Sequence, residues 1–222
     1  MGEQANSAGR LDAFVDAAFA FAVTLLVIGG GDVPSSYSGL EQAVRNAPAF
    51  AIGFAFLAMF WHGHVRWRGY GTSAGGLPVL ISLVLVFLVL VYVYPLRLMT
   101  ISMVEFVARD IRTVRTAAEA ANLFTLYGIG FMAMAGAMAA LFATSLKAPL
   151  SADARANVRG EIGIWLILAT SGLVSASLSR VAPIAAPWVY SLIPVAIGLF
   201  VWRHNWDGPG VSEAPPPASA DR

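Results

Sequence analysis

Cysteine is absent from the 222 residues. That excludes disulfides, zinc–thiolate sites and thiol nucleophiles. Charge is scarce: only 12% of the chain is charged, and 14 basic residues nearly cancel 13 acidic ones. A disordered chain needs high net charge and few apolar residues, and a nucleic-acid binder held by bulk charge needs a basic excess. Neither class fits. Enzyme signatures are missing too: there is no Gly-x-Ser-x-Gly, His-Glu-x-x-His or phosphate-binding loop. No catalytic residue, metal or cofactor is expected. What the chain has in excess is apolar side chains, 58% of residues with a mean hydropathy of +0.70.

Crossing a bilayer as a helix takes about 20 mostly apolar residues. Six runs qualify as candidates: Leu11–Gly31, Pro48–Trp61, Leu77–Leu96, Leu123–Leu146, Ile162–Leu178 and Pro187–Trp202. The second is short unless it continues through His62 and His64 towards Trp67. The first carries Asp12 and Asp16 and has no basic flank beyond Arg10; this reads as a retained helix rather than a cleaved signal peptide. An all-α, multi-pass membrane protein follows, with a six-helix unit over 1–206 and a proline-bearing disordered tail over 207–222.

Taking the N-terminus as cytoplasmic, the inner segments hold eight basic residues and the outer ones six, a slight lean towards both termini inside. Trp61, Trp67, Tyr92, Tyr94, Trp188, Tyr190, Trp202 and Trp206 stand near the proposed span ends, as interfacial anchors do.

Several motifs have plain readings. Gly69-Tyr70-Gly71-Thr72 lacks the order of a carbonyl filter, Thr-Val-Gly-Tyr-Gly, and reads as a loop. Arg109, Arg112 and Arg115 recur every third residue but sit among polar neighbours, which suits an interfacial or solvated helix. His62 and His64 point about 200° apart on a helix and cannot chelate one ion together; a histidine hydrogen-bonded near the helix end is the simpler reading. Ser171, Ser175 and Ser179 share one face, and Gly136 with Ala140 forms a small-xxx-small pair; both suit helix packing.

The first helix differs from the rest. Ionisable residues inside a span are costly and mark function by default. At about 100° per residue, Phe14, Phe21, Leu25 and Ile28 form one stripe, flanked by Thr24. Asp16 lies about 140° from Phe21 and Asp12 about 180°. The helix therefore has an apolar stripe and an acidic one behind it. If the acids are ion ligands the stripe faces lipid; if they pair with neighbouring helices the stripe is free to line something.

Arg10-Leu-Asp-Ala-Phe14-Val15-Asp16, followed by Phe19-Ala-Phe21-Ala-Val-Thr24-Leu25-Leu26-Val-Ile28, resembles the signature of the transmembrane protein 175 potassium channels. Trp61-His62-Gly63-His64 is similar to that family's Trp-x-x-His. The resemblance implies one six-helix unit of the bacterial kind, assembled as a homotetramer in the bacterial inner membrane and passing potassium ions. It implies that the first helix lines the pore, with Phe21, Leu25 and Ile28 as constriction rings and Thr24 as the polar ring. It also implies a structural network of Arg10, Phe14, Asp16, Trp61 and His64. In this sequence Val15 stands for the motif serine, and Phe21 for an aliphatic residue. Two rival readings are an ion-coupled transporter using Asp16 and His64 as a relay, and a non-conducting scaffold, for which the bulk of Phe21 argues. The inverted repeat that would support a transporter is not found.

Overall fold

The computed structural model describes residues 2–28, 35–70, 75–110 and 113–204, with side chains from Gly9 onward. All its elements are helices: α1 (Gly2–Ile28), α2 (Tyr37–Arg45), α3 (Ala47–Gly69), α4 (Gly76–Ala108), α5 (Ala117–Ser145), α6 (Ala152–Ser179), α7 (Trp188–Ser191) and α8 (Ile193–His204). Five of them, α1 and α3 to α6, are long and apolar enough to cross a membrane. The second span does continue through His64, to Gly69. The sixth expected span is divided: α7 has 4 residues and α8 has 12, and α8 alone rises only about 18 Å. The proposed tail, Trp206, Gly71, Thr72 and Arg112 lie outside the described residues.

The core runs between α1, α3, α4, α5 and α6. Its centre is aromatic: Phe56 stacks on Tyr92 at 5.5 Å between centroids, and Phe60 meets Trp165 at 5.2 Å. Trp67 and Tyr92, expected at the interface, are buried there instead. Each lies on the inward side of its helix, and burial of so large a ring outweighs its preference for the headgroup level.

Small residues set the closest approach, but not where the sequence pattern placed it. A β-carbon on Gly128 of α5 would stand 2.5 Å from the Gly172 carbonyl oxygen of α6, whereas one on Gly136 would meet nothing within 4 Å. Gly136 is therefore no packing seam among the described residues. The serine face of α6 bonds outward at two of its three positions: the Ser175 hydroxyl donates to the Ala186 carbonyl at 3.1 Å, and Ser179 shares a 2.7 Å hydrogen bond with Thr125 of α5.

A second correction concerns the arginine triplet. No helix covers 109–115 among the described residues. Instead α4 runs 33 residues, past Arg97, and Arg109 ends it in a left-handed conformation with φ 58°. Glu105 then ties down the following turn, accepting the Thr113 N–H and hydroxyl, each at 2.8 Å. A Thr116/Glu119 capping box opens α5. These side-chain bonds satisfy the turn and leave no reason for the arginines to continue a helix.

Candidate functional site

Helix α1 has two distinct sides. Leu11, Val15, Phe19, Ala22 and Leu26 recur at helical spacing and are buried, pressing α1 onto α3 and α4. Among the described residues it packs on no other helix. Gly53 of α3 makes room for it: a β-carbon there would come within 2.8 Å of Leu26 Cδ2. Val15, in the motif serine's place, is fully buried in the core, where a hydroxyl would need a partner.

The opposite side of α1 is largely exposed among the described residues. Phe21 is 56% exposed and Ile28 51%. Thr24 stands between them, its hydroxyl donating to its own helix at the Ala20 carbonyl, 3.1 Å away. That bond leaves the hydroxyl oxygen facing outward as an acceptor. Leu25 differs from its stripe partners. It is half-buried and packs on the core, so it stands at the edge of the free face.

The acidic side is where α1 is fastened. The Trp61 indole N–H donates to Asp16 Oδ1 at 2.8 Å, and Arg68 Nε lies 2.7 Å from Asp12 Oδ1. Both partners belong to the C-terminal half of α3, so α1 is anchored near its N-terminal end and leaves its C-terminal half to present Phe21, Thr24 and Ile28. Arg68 also lies over the Trp67 ring, 5.5 Å from its centroid, a cation–π contact.

Asp16 takes its hydrogen bond from Trp61 rather than from the other residues of the proposed network. His64 is buried and shares a 3.1 Å hydrogen bond with the Ser82 hydroxyl of α4. His62 points outward. Arg10 and Phe14 lie exposed on α1. No cluster of three or more metal-ligating side chains occurs among the described residues.

One element of the site was not anticipated. Arg66, on the same end of α3, forms a salt bridge with Glu161 of α6, which is only 2% exposed. Two charged residues 95 positions apart carry no joint signal in the sequence. An acid at the border of the apolar stretch of α6, one residue before Ile162, was the available hint. With this pair, the end of α3 is fastened to α1 on one side and to α6 on the other. Just past α3, burial pushes the Tyr70 hydroxyl above its ordinary value while Arg66 pulls it down, so it stays a neutral donor near pH 7.

Three comparisons with known proteins find resemblances. Residues 10–95, which hold most of α1, all of α2 and α3 and the first part of α4, match the family described as "Endosomal/lysosomal potassium channel TMEM175". A protein of Marivirga tractuosa named "Potassium channel" is 36% identical over 89 residues, 40% of this chain. The matched stretch spans only 35% of that relative's length. Among solved structures, a threonine-to-alanine variant of the potassium channel MtTMEM175, crystallised with a nanobody–MBP fusion protein, superposes with a TM-score of 0.77. The match covers 88% of this chain and 93% of that one at 22% identity, so it shows that the fold is shared.

Proposed function

We propose, from the match of residues 10–95, that the chain is a bacterial-type member of the TMEM175 family and works as a potassium-selective channel. Four subunits assemble around an axis, and the free face of each α1 lines the pathway. The observation that carries this reading is the one-sided packing of α1. Its acids are fastened to α3, and Phe21, Thr24 and Ile28 are left exposed among the described residues. A single helix cannot enclose a pathway, so a symmetric assembly is needed to bring several copies of that face together.

The pore so formed has no ring of filter carbonyls. Apolar rings from Phe21 and Ile28 gate it by staying dry when narrow and wetting when wide, with Leu25 at the flank. The Thr24 oxygens, one per subunit, are the polar groups within reach of an ion that has shed part of its water. In this reading α7 and α8 together serve as the sixth span, the six-helix unit ends near residue 206, and both termini face the cytoplasm of a bacterial inner membrane.

The bulk of Phe21 favours one other reading, a sealed scaffold that conducts nothing. Potassium efflux from liposomes containing the purified protein separates the two. Efflux well above protein-free liposomes, and faster for potassium than for sodium, supports the channel. Equal and negligible efflux of both ions from well-folded protein supports the scaffold.

A further inference from the structure

Helix α2 is amphipathic and sparsely packed among the described residues. None of its nine residues is buried, and α3 is the only helix it meets among the described residues. Yet it is well made. Ser36 caps its start by accepting the Gly39 N–H at 3.2 Å, and Glu41 pairs with Arg45 at 2.7 Å one turn on. Stacked on a wheel, its residues divide cleanly. Tyr37, Leu40 and Val44 fall on one face, while Ser38, Glu41, Gln42 and Arg45 fall on the other. The apolar side chains are exposed, Tyr37 at 83%, Val44 at 64% and Leu40 at 53%.

We propose that α2 is a membrane-surface helix, with Tyr37, Leu40 and Val44 seated at the headgroup–acyl boundary of the leaflet where α3 begins. Three observations choose lipid as the occupant. The first is continuity. A single residue, Asn46, separates the end of α2 from the start of the membrane span α3, so α2 is held at the level of the bilayer surface. The second is size. Three side chains make a face far smaller than the roughly 1,000 Å² a specific protein interface needs, but a short amphipathic helix tethered to a span needs no such area. The third is chemistry. Tyr37 has the apolar ring and polar tip favoured at that depth, and the Glu41–Arg45 pair leaves the outer face with no net charge, so neutral lipid suffices. The consequence is a helix that fixes the height and tilt of the α3 end.

The chain's lack of cysteine makes the test clean. Leu40→Cys and Gln42→Cys, each in the full chain, are spin-labelled and reconstituted in phosphatidylcholine vesicles. Accessibility to oxygen, which concentrates in lipid, is compared with accessibility to a water-soluble nickel chelate. The proposal expects position 40 to be several-fold less open to nickel than position 42, while remaining open to oxygen. Equal nickel access at both positions would mean a solvated helix and would overturn it. So would loss of access to both probes at position 40, or dipolar broadening there, which would place a second copy of the chain on this face. Val44→Cys repeats the measurement should Leu40→Cys fail to fold.

Discussion

Trp61 holds Asp16 by a 2.8 Å hydrogen bond from its indole N–H, joining the two halves of the sequence signature across the α1–α3 seam. The bond gives the carboxylate a structural partner on the side of α1 away from Phe21, Thr24 and Ile28. Replacing Trp61 by Phe keeps a large ring and removes the donor. A hydrogen bond to a charged group contributes about 1.5–3 kcal/mol. Trp61→Phe and Asp16→Asn should both lower the melting temperature in detergent and the fraction assembled, with the potassium-to-sodium flux ratio of surviving protein unchanged. Normal stability with a lost ratio would assign Asp16 to the ion instead.

The Arg66–Glu161 pair should be more sensitive. Glu161 is 2% exposed, and removing one partner of a buried pair typically costs about 3–5 kcal/mol because it strands the other charge. Arg66→Ala, which strands the buried Glu161 carboxylate, should therefore abolish or severely reduce folded yield. Replacing both residues together by apolar ones should recover much of it. Failure of the double variant to recover any yield would mean that the charges do more than satisfy one another.

Glycine tolerance should differ sharply along the bundle. Gly128→Ala would place a methyl carbon 2.5 Å from the Gly172 carbonyl oxygen, and Gly172→Ala would place one 2.6 Å from the Gly128 oxygen. Backbone oxygens cannot swing aside, so both should force α5 and α6 apart and reduce yield. Gly136→Ala has open space around it within the subunit and should express normally. Thermal stability by intrinsic fluorescence ranks the three.

Phe21 is bulkier than an aliphatic ring residue. In the proposed pore, four copies meet at the axis, where facing rings gain about 0.5–1.5 kcal/mol per pair beyond burial. Phe21→Ala should raise potassium efflux. Leu25→Ala should do less, because Leu25 leans on the core rather than outward. The reverse order would place the constriction at Leu25.

Length and apolarity were enough to find the five long helices, because every spanning helix must satisfy its own backbone. Their ends were harder. Arg97 interrupts the apolar run of α4 but not the helix, since a long basic side chain can reach the interface from inside a span. Helix α2 escaped notice because nine amphipathic residues give too short a pattern to separate from a polar loop. The stripe of Phe21 and Ile28 followed from helical periodicity, but the turning of Leu25 towards the core depends on where α3 and α4 lie. The partner of Asp16 was expected to be Arg10 or His64, and the structure supplies Trp61, because His64 faces Ser82 on the other neighbour, α4. Sequence spacing names the residues of such a network; the crossing of the helices decides who meets whom.

The claim that the free face of α1 lines the conducting path is tested most directly by silver block in a chain with no native thiol. Thr24→Cys lies on that face, and Val23→Cys, half-buried one residue earlier, points about 100° away. Each is reconstituted in liposomes and its potassium efflux measured before and after silver ions of nearly potassium's size. The account predicts rapid loss of efflux in Thr24→Cys, with wild type and Val23→Cys little affected. Efflux that persists in Thr24→Cys while silver blocks Val23→Cys would contradict it.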